Sequence, residues 1–371
     1  MSTTFDILIG GSAASDFTSQ LGSLDVEENA DAPGAFTLTL PIKLNDQGDY
    51  DATSDARIAP FSNIAVTAQA ADGVTHCLID GYVLSHKLHL SKGTSDSHAV
   101  ISGQDASWLM NTTEQVREWT DVTDADVAAS IFGEYGFTPA DGNSAEDSPS
   151  HPESGHSLMQ RATDAQFLDE LAKRNGKLCR IFCTDTPGVR TGWFAGPKLD
   201  GDPAATLVLN GDTGANVDAI DISWDVMRTT SVSAEQALFT ASDAASGDTT
   251  DSGLTPLDAQ DLATFATQAM TQRLTATVDD AGELASRAQA VLRDAGWFVK
   301  CEGSTDAGRL GSILRVGSVV QLNAAGAMHS GKYLVWKVRH SINAQTHKMT
   351  FTLVRNAVGT STPSSDGGLS L

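Results

Sequence analysis

One pattern of strands and turns occurs twice, and it constrains the fold more than anything else in the chain. Residues 63–69 read as a strand, then come a Gly turn, a long strand over 77–90 in which apolar residues share one face, a polar turn at 92–95 and a returning run over 98–102. Residues 317–323, 333–342 and 347–353 repeat that order, again with a Gly turn after the first run and a polar turn after the second. A period of two is the signature of a strand that buries one face. Each copy therefore reads as an antiparallel meander, and the recurrence predicts two related β-domains. Short runs at 5–9 and 35–40 add strands before the first copy. Uninterrupted alternation in 77–90 would put Tyr82, Leu84, Leu88 and Leu90 on one face.

Between the copies the period changes to that of a helix. Thr123 and Asp126 have near capping-box spacing, Val127, Ile131 and Phe132 build an apolar stripe, and Gly136 marks a stop. Thr163 with Gln166 opens a second helix whose buried face is Phe167, Leu168 and Leu171, and Gly176 ends it. Strands at 178–183 and 191–195 follow. Farther on, strands are expected at 206–210 and 219–226. A helix opened by Thr255 and Pro256 is expected to run through Leu262, Phe265 and Met270, and another to span 280–295.

Composition narrows the function classes. The 371 residues carry a formal charge of −23, which repels phosphate backbones and argues against stable nucleic-acid binding. The sign is uneven: residues 1–110 sum to −10, 111–205 to −8, 206–285 to −11 and 286–371 to +6. A basic last quarter on an acidic chain is suited to acidic neighbours. With 40% apolar residues the chain can build packed cores. No signal-peptide pattern opens the sequence and no apolar run is long enough to span a membrane, so no membrane insertion is expected. Four cysteines are too sparse for a disulfide scaffold and suit synthesis in the reducing cytoplasm.

The usual chemical constellations are missing from the sequence. There is no GxxxxGK[ST] loop, no HExxH and no GxSxG. Cys179 and Cys183 are spaced as i, i+4 within a strand, about 13 Å apart by strand rise, too far for one zinc ion, so both are expected to be buried thiols. His151, Glu153 and His156 form the one cluster with an acid–base or metal look, and its proline-rich setting reads as a solvated loop. His86 and His89 fall on opposite faces of their strand. Asp46, Asp49, Asp51 and Asp55 surround Gly48 without the order of a calcium loop and read as a flexible acidic loop. The expectation is no catalytic residue, no cofactor, no metal and no enzyme.

A family resemblance enters at residues 81–182. Gly81-Tyr-Val-Leu-Ser-His leads to Gly103-Gln-Asp105, then to Thr123-Asp-Ala-Asp-Val. The most specific stretch joins Gln160, Thr163-Asp164, Phe167-Leu168, Leu171-Ala172 and Gly176. This series is similar to the phage late control D proteins and to the hub portion of type VI VgrG spikes. The resemblance implies a mainly β fold with α+β elements. Two tube-like antiparallel β-barrel domains, 1–110 and 206–358, would flank a mixed α/β domain, 111–205, with a flexible tail at 359–371. It further implies a baseplate hub of a contractile tail or injection system: a homotrimer whose six barrels match a hexameric inner tube above to a trimeric spike below. Expected partners are the tube protein, a separate spike protein and other baseplate components. A chain made in the cytoplasm would then leave it within a phage tail or tail-like particle. The alternative is a peptidoglycan-degrading or receptor-binding component of the same machinery.

Overall fold

Two early strands bury every second side chain. Leu24, Val26 and Glu28 point inward from Ser23–Asn29, and Phe36, Leu38 and Leu40 from Ala35–Pro41. The coordinates are a computed structural model. They describe residues 3–50, 55–92, 96–143, 149–153, 157–210, 214–237, 244–276, 278 and 281–359. Most of the expected turn at 92–95 and nearly all of the expected tail at 359–371 lie outside the described residues. The fold is mainly β with large antiparallel sheets, and it divides into two units.

The first unit comprises 1–197, 305–316 and 337–351. Its main sheet is antiparallel throughout. From one side the row runs residues 347–351, 337–342, Ser23–Asn29, Ala35–Pro41, His98–Asp105, Thr75–His89, Asn63–Gln69, Thr4–Ile9 and Ser12–Ala13. No ladder among the described residues closes this row on itself. The first meander expected from the sequence is its centre. Lys337 stands opposite Asn29 and Ile342 opposite Leu24, so a piece of the second sequence copy adds a strand to this sheet.

That pairing also uses part of the basic surplus internally. Lys337 meets Glu27 at 3.0 Å, Arg339 meets Asp25 at 3.2 Å, and Arg315 meets Glu28 at 2.8 Å. The first two pairs are exposed enough to be weak, whereas Arg315 and Glu28 are shielded.

One alternation expected from the sequence breaks. The ladder between Thr75–His89 and His98–Asp105 skips Leu84: Val83 faces Gly103, and Ser85 faces Ser102. The extra residue is a β-bulge, which resets which face each later side chain occupies. Residues 84–89 are then exposed on both faces. The two glycines beside the bulge are required by backbone approach. A Cβ on Gly81 would lie 2.0 Å from the Gln104 carbonyl oxygen, and one on Gly103 would lie 2.1 Å from that of Tyr82.

The cysteine expectation is also corrected. Cys77 and Cys183 form a disulfide with Cα atoms 5.6 Å apart, joining positions 106 residues apart in sequence. Cys179 and Cys301 are free. Spacing within one strand gave no hint of the pair, because the partner of Cys183 comes from a different strand.

The second unit comprises 198–304, 317–336 and 352–371. Thr206–Val208 runs parallel to Val319–Asn323, which pairs antiparallel with residues 331–334. Ser231–Ala237 pairs with Thr271–Leu274, and the helix Ala281–Gly296 covers it through Leu284, Ala288 and Leu292 against Val232 and Ala234. The helix expected to run through Met270 is only Leu262–Ala266. Asp261, not Thr255, caps it, and Thr267 ends it with φ 57°. Met270 leads instead into strand Thr271–Leu274. Arg355 and Asp258 form a fully buried ion pair here, with the Arg355 guanidinium 5.2 Å from the centre of the Tyr333 ring.

The disulfide is open to a direct check. Denatured, unreduced protein should titrate two thiols per chain, and reduced protein four. Cys77→Ser should lower stability by about 4 kcal/mol through the freed loop entropy, measured by denaturant unfolding. Four reactive thiols before reduction would remove the bond from the structure.

Candidate functional site

The residues that carry the family resemblance converge on two helices of equal length, Asp124–Glu134 and Asp164–Arg174. Both have a full capping box: Thr123 with Asp126, and Thr163 with Gln166. The first helical residue is an aspartate in each, and both aspartates are wholly buried. A carboxylate there faces unpaired N–H groups and the positive end of the helix dipole.

Each buried aspartate is gripped by the far end of the other helix. Asp124 accepts from Arg174 at 2.6 Å and from Asn175 at 2.6 Å, the last residue and the C-cap of the second helix. Asp164 accepts from the Tyr135 hydroxyl at 2.7 Å, and Tyr135 is the C-cap of the first helix. Gln160 completes the second grip. It donates to Asp164 at 2.6 Å and accepts from the Trp119 indole N–H at 3.2 Å, with no exposed surface of its own. Burial and the bond to Asp164 push the Tyr135 phenol up to about 12. Between the helices lies an apolar core that includes Val127, Ile131, Phe132, Phe167, Leu168 and Leu171. Gly136 and Gly176 follow the helices with φ of +70° and +62°, which are glycine conformations.

His151 joins this cluster rather than a solvated loop. Its Nε2 lies 2.8 Å from Asp124 Oδ1, and the ring is buried. A short pairing of Ser150–His151 with Val122–Thr123 delivers it there. Burial alone would raise the Asp124 carboxyl, but the bond from His151 and the Arg174 charge outweigh burial and hold it below the usual range. Glu153 is exposed and its backbone N–H donates to Asp121. His156 lies outside the described residues. The structure thus joins His151 to partners that sequence spacing did not suggest, Asp124 and Arg174, with Asn175 on the same carboxylate, and every polar contact just described is within the protein.

The remaining candidates separate in the structure. His86 pairs opposite Ile101, and His89 stacks on His98 at 4.9 Å on an exposed surface. Asn45 and Asp49 organise a local turn, Asp55 caps residues 56–58 and pairs with Arg57, and Asp51 lies outside the described residues. Asp105 caps the short helix Ala106–Asn111 through Ser107 and also accepts from the Gly34 N–H, which explains the Gly-x-Asp spacing in structural terms. Among the described residues no three His, Cys, Asp or Glu side chains converge as a metal cage. No described helix is long and apolar enough to cross a membrane.

Comparison with known proteins assigns the fold. A tail protein from Neisseria meningitidis MC58 superposes with a TM-score of 0.67 at 15% identity, over 96% of this chain and 97% of that one. The 43 kDa tail protein of prophage MuSo2 from Shewanella oneidensis gives 0.65 at 17% identity, over 96% and 100%. An E. coli type VI secretion component, described as similar to the T4 tail proteins gp27 and gp5, gives 0.55 at 13% identity, over 94% and 76%. The chain has the fold of these proteins. No curated protein matches it in sequence. The family model described as the Alg8 N-terminal domain matches residues 1–344, and the chain belongs to that family.

The reciprocal grip predicts paired mutant behaviour. Asp124→Ala should cost up to about 3 kcal/mol, because it removes the buried carboxylate that His151, the part-buried Arg174 and Asn175 share, and Asp164→Ala should also destabilise by removing the acceptor of Tyr135 and Gln160. Denaturant melts measure both. The Asp124 contribution should be present above about pH 4 and fade as pH falls through its lowered folded-state value. Wild-type stability in Asp124→Ala would dissolve the grip.

Proposed function

We propose that this member of the Alg8 N-terminal domain family is a structural hub of a contractile tail or injection system, a homotrimer that adapts a hexameric inner tube to a trimeric spike. The observation that carries the reading is the whole-length fold shared with phage tail proteins, combined with the duplicated meander within one chain. On this reading residues 1–110 and 206–358 act as two tube-like barrels, 111–205 as the α/β domain between them and 359–371 as the tail. Three chains would then offer six similar elements to a sixfold ring, which reconciles the two symmetries without a second gene.

The chemistry of the capped helices agrees with a structural role. Asp124 is held by His151 and Arg174 inside the protein, and a group committed to holding two helices together is not free to turn over a substrate. The acidic balance of the chain, −23, suits a channel that should not retain nucleic acid or acidic cargo. The intrachain ion pairs of Lys337, Arg339 and Arg315 leave less of the basic segment for neighbours than its +6 suggests, so apolar contact carries more of the proposed assembly.

Mass and symmetry test this reading together. Light scattering of the purified chain with its tube and spike proteins should give three copies of 38.9 kDa per complex, and class averages should display threefold or sixfold symmetry. A single copy per complex, or a place off the tail axis, would reject the hub. Peptidoglycan turnover abolished by His156→Ala would favour the hydrolase alternative instead.

A further inference from the structure

The interior of the first unit holds a chain of hydrogen bonds that neither the fold comparison nor the hub reading uses. Glu28 is 8% exposed, His347 3% and His340 0%. Glu28 Oε1 lies 3.2 Å from His340 Nε2, and His340 Nδ1 lies 3.0 Å from His347 Nε2. Arg315 binds the Glu28 carboxylate at 2.8 and 3.0 Å and also donates to the carbonyl oxygens of Cys183 and Thr184.

Counting hydrogens fixes every role. Burial works against the Glu28 carboxylate, but the charges and bonds of Arg315 and His340 hold its pKa below the usual range, so it is ionised and only accepts. His340 Nε2 therefore carries a hydrogen and donates to it. The contact between the two rings holds one hydrogen. In the neutral pair that hydrogen belongs to His347 Nε2, and His340 Nδ1 accepts. His347 Nδ1 is then bare, and it has no hydrogen-bond partner among the described residues. A third hydrogen has one place left, His347 Nδ1, whichever ring carries the charge. There it would be a buried donor with no acceptor.

We propose that the His340–His347 pair is an acid-sensing device: proton uptake loosens residues 337–351 from strand Ser23–Asn29 and so lowers the stability of the first unit in mildly acidic surroundings. Burial, and then the nearby His340, push the His347 pKa down to about 3. An unfolded histidine titrates near 6.5. The unfolded chain therefore binds more protons below that pH, and stability conferred by the neutral pair is present above it and lost as pH falls toward 3. The charged groups around the pair are Glu28 and Arg315, with Arg180 coupled to Glu28. Burial, and then the Arg315 charge, lower the His76 pKa as well, against the opposing pull of Asp72 and Glu28, so it adds a slope of the same sign.

The test is the pH dependence of unfolding of the full chain between pH 6.5 and 5.0. The unfolding constant of wild type should rise up to about tenfold per pH unit more steeply than that of His347→Gln, one proton's worth. The glutamine keeps an N–H donor for His340 but cannot titrate. In a His76→Gln background the difference should persist. Equal slopes in wild type and His347→Gln, or a slope wholly removed by His76→Gln, would overturn the proposal. Nitrogen-15 imidazole spectra of the native wild type give a second reading that needs no variant. His347 should stay neutral, with a bare Nδ1, down to pH 5. A His347 that titrates near pH 6.5 in the folded protein would overturn it equally.

Discussion

Two buried carboxylates organise the α/β part of the first unit. An aspartate at the first position of a helix is ordinary when water reaches it. Asp124 and Asp164 have no exposed surface, so their charge must be met inside the protein. Arg174 and Asn175 meet one, Tyr135 and Gln160 the other. Because each grip reaches from the end of one helix to the start of the other, neither helix can slide or turn alone. The apolar core between them supplies the larger share of the stabilisation, since burying one large aliphatic side chain contributes about 1.5–3 kcal/mol. The polar grips contribute register. A slipped pairing would strand a buried charge, which costs more than a displaced methyl group.

The reach of each interaction decided what the sequence could reveal. Capping boxes close within three residues, so Thr123 and Thr163 were legible, as were the glycine stops at 136 and 176. The meander was legible because alternation and turns are local. What grips Asp124 was not: its partners lie 27, 50 and 51 residues away. His151 looked solvated because its neighbours in sequence are prolines and polar residues, and only the short pairing to Val122 draws it inside. The disulfide was illegible for the same reason, and the shortened helix at Leu262–Ala266 turned on one left-handed residue, Thr267, that no composition rule marks.

The resemblance motif itself acquires a physical reading. Gly81 and Gly103 admit backbone contact where any side chain would collide, and Asp105 then ties the end of that strand to Gly34 and to the helix after it. Gln160 holds Asp164, and Phe167 with Leu168 and Leu171 fills the core beneath. Each of these positions has a geometric reason for its residue. A motif with this content specifies a fold and says little about chemistry.

The last step concerns how a duplicated sequence is used. Residues 337–342, from the second copy, pair with Ser23–Asn29, from the start of the chain, and 312 residues separate Glu28 from His340. Closing so long a separation costs chain entropy, and that cost grows only slowly with length. The contacts that offset it are concentrated where the two strands meet, in Val26, Val338 and Ile342 as apolar contacts and in Arg315, Glu28 and His340 as polar ones. Apolar contacts are insensitive to pH, whereas the bond between the two rings is sensitive to proton uptake at His347. The seam between the two strands is therefore also the place where the proposed proton dependence acts.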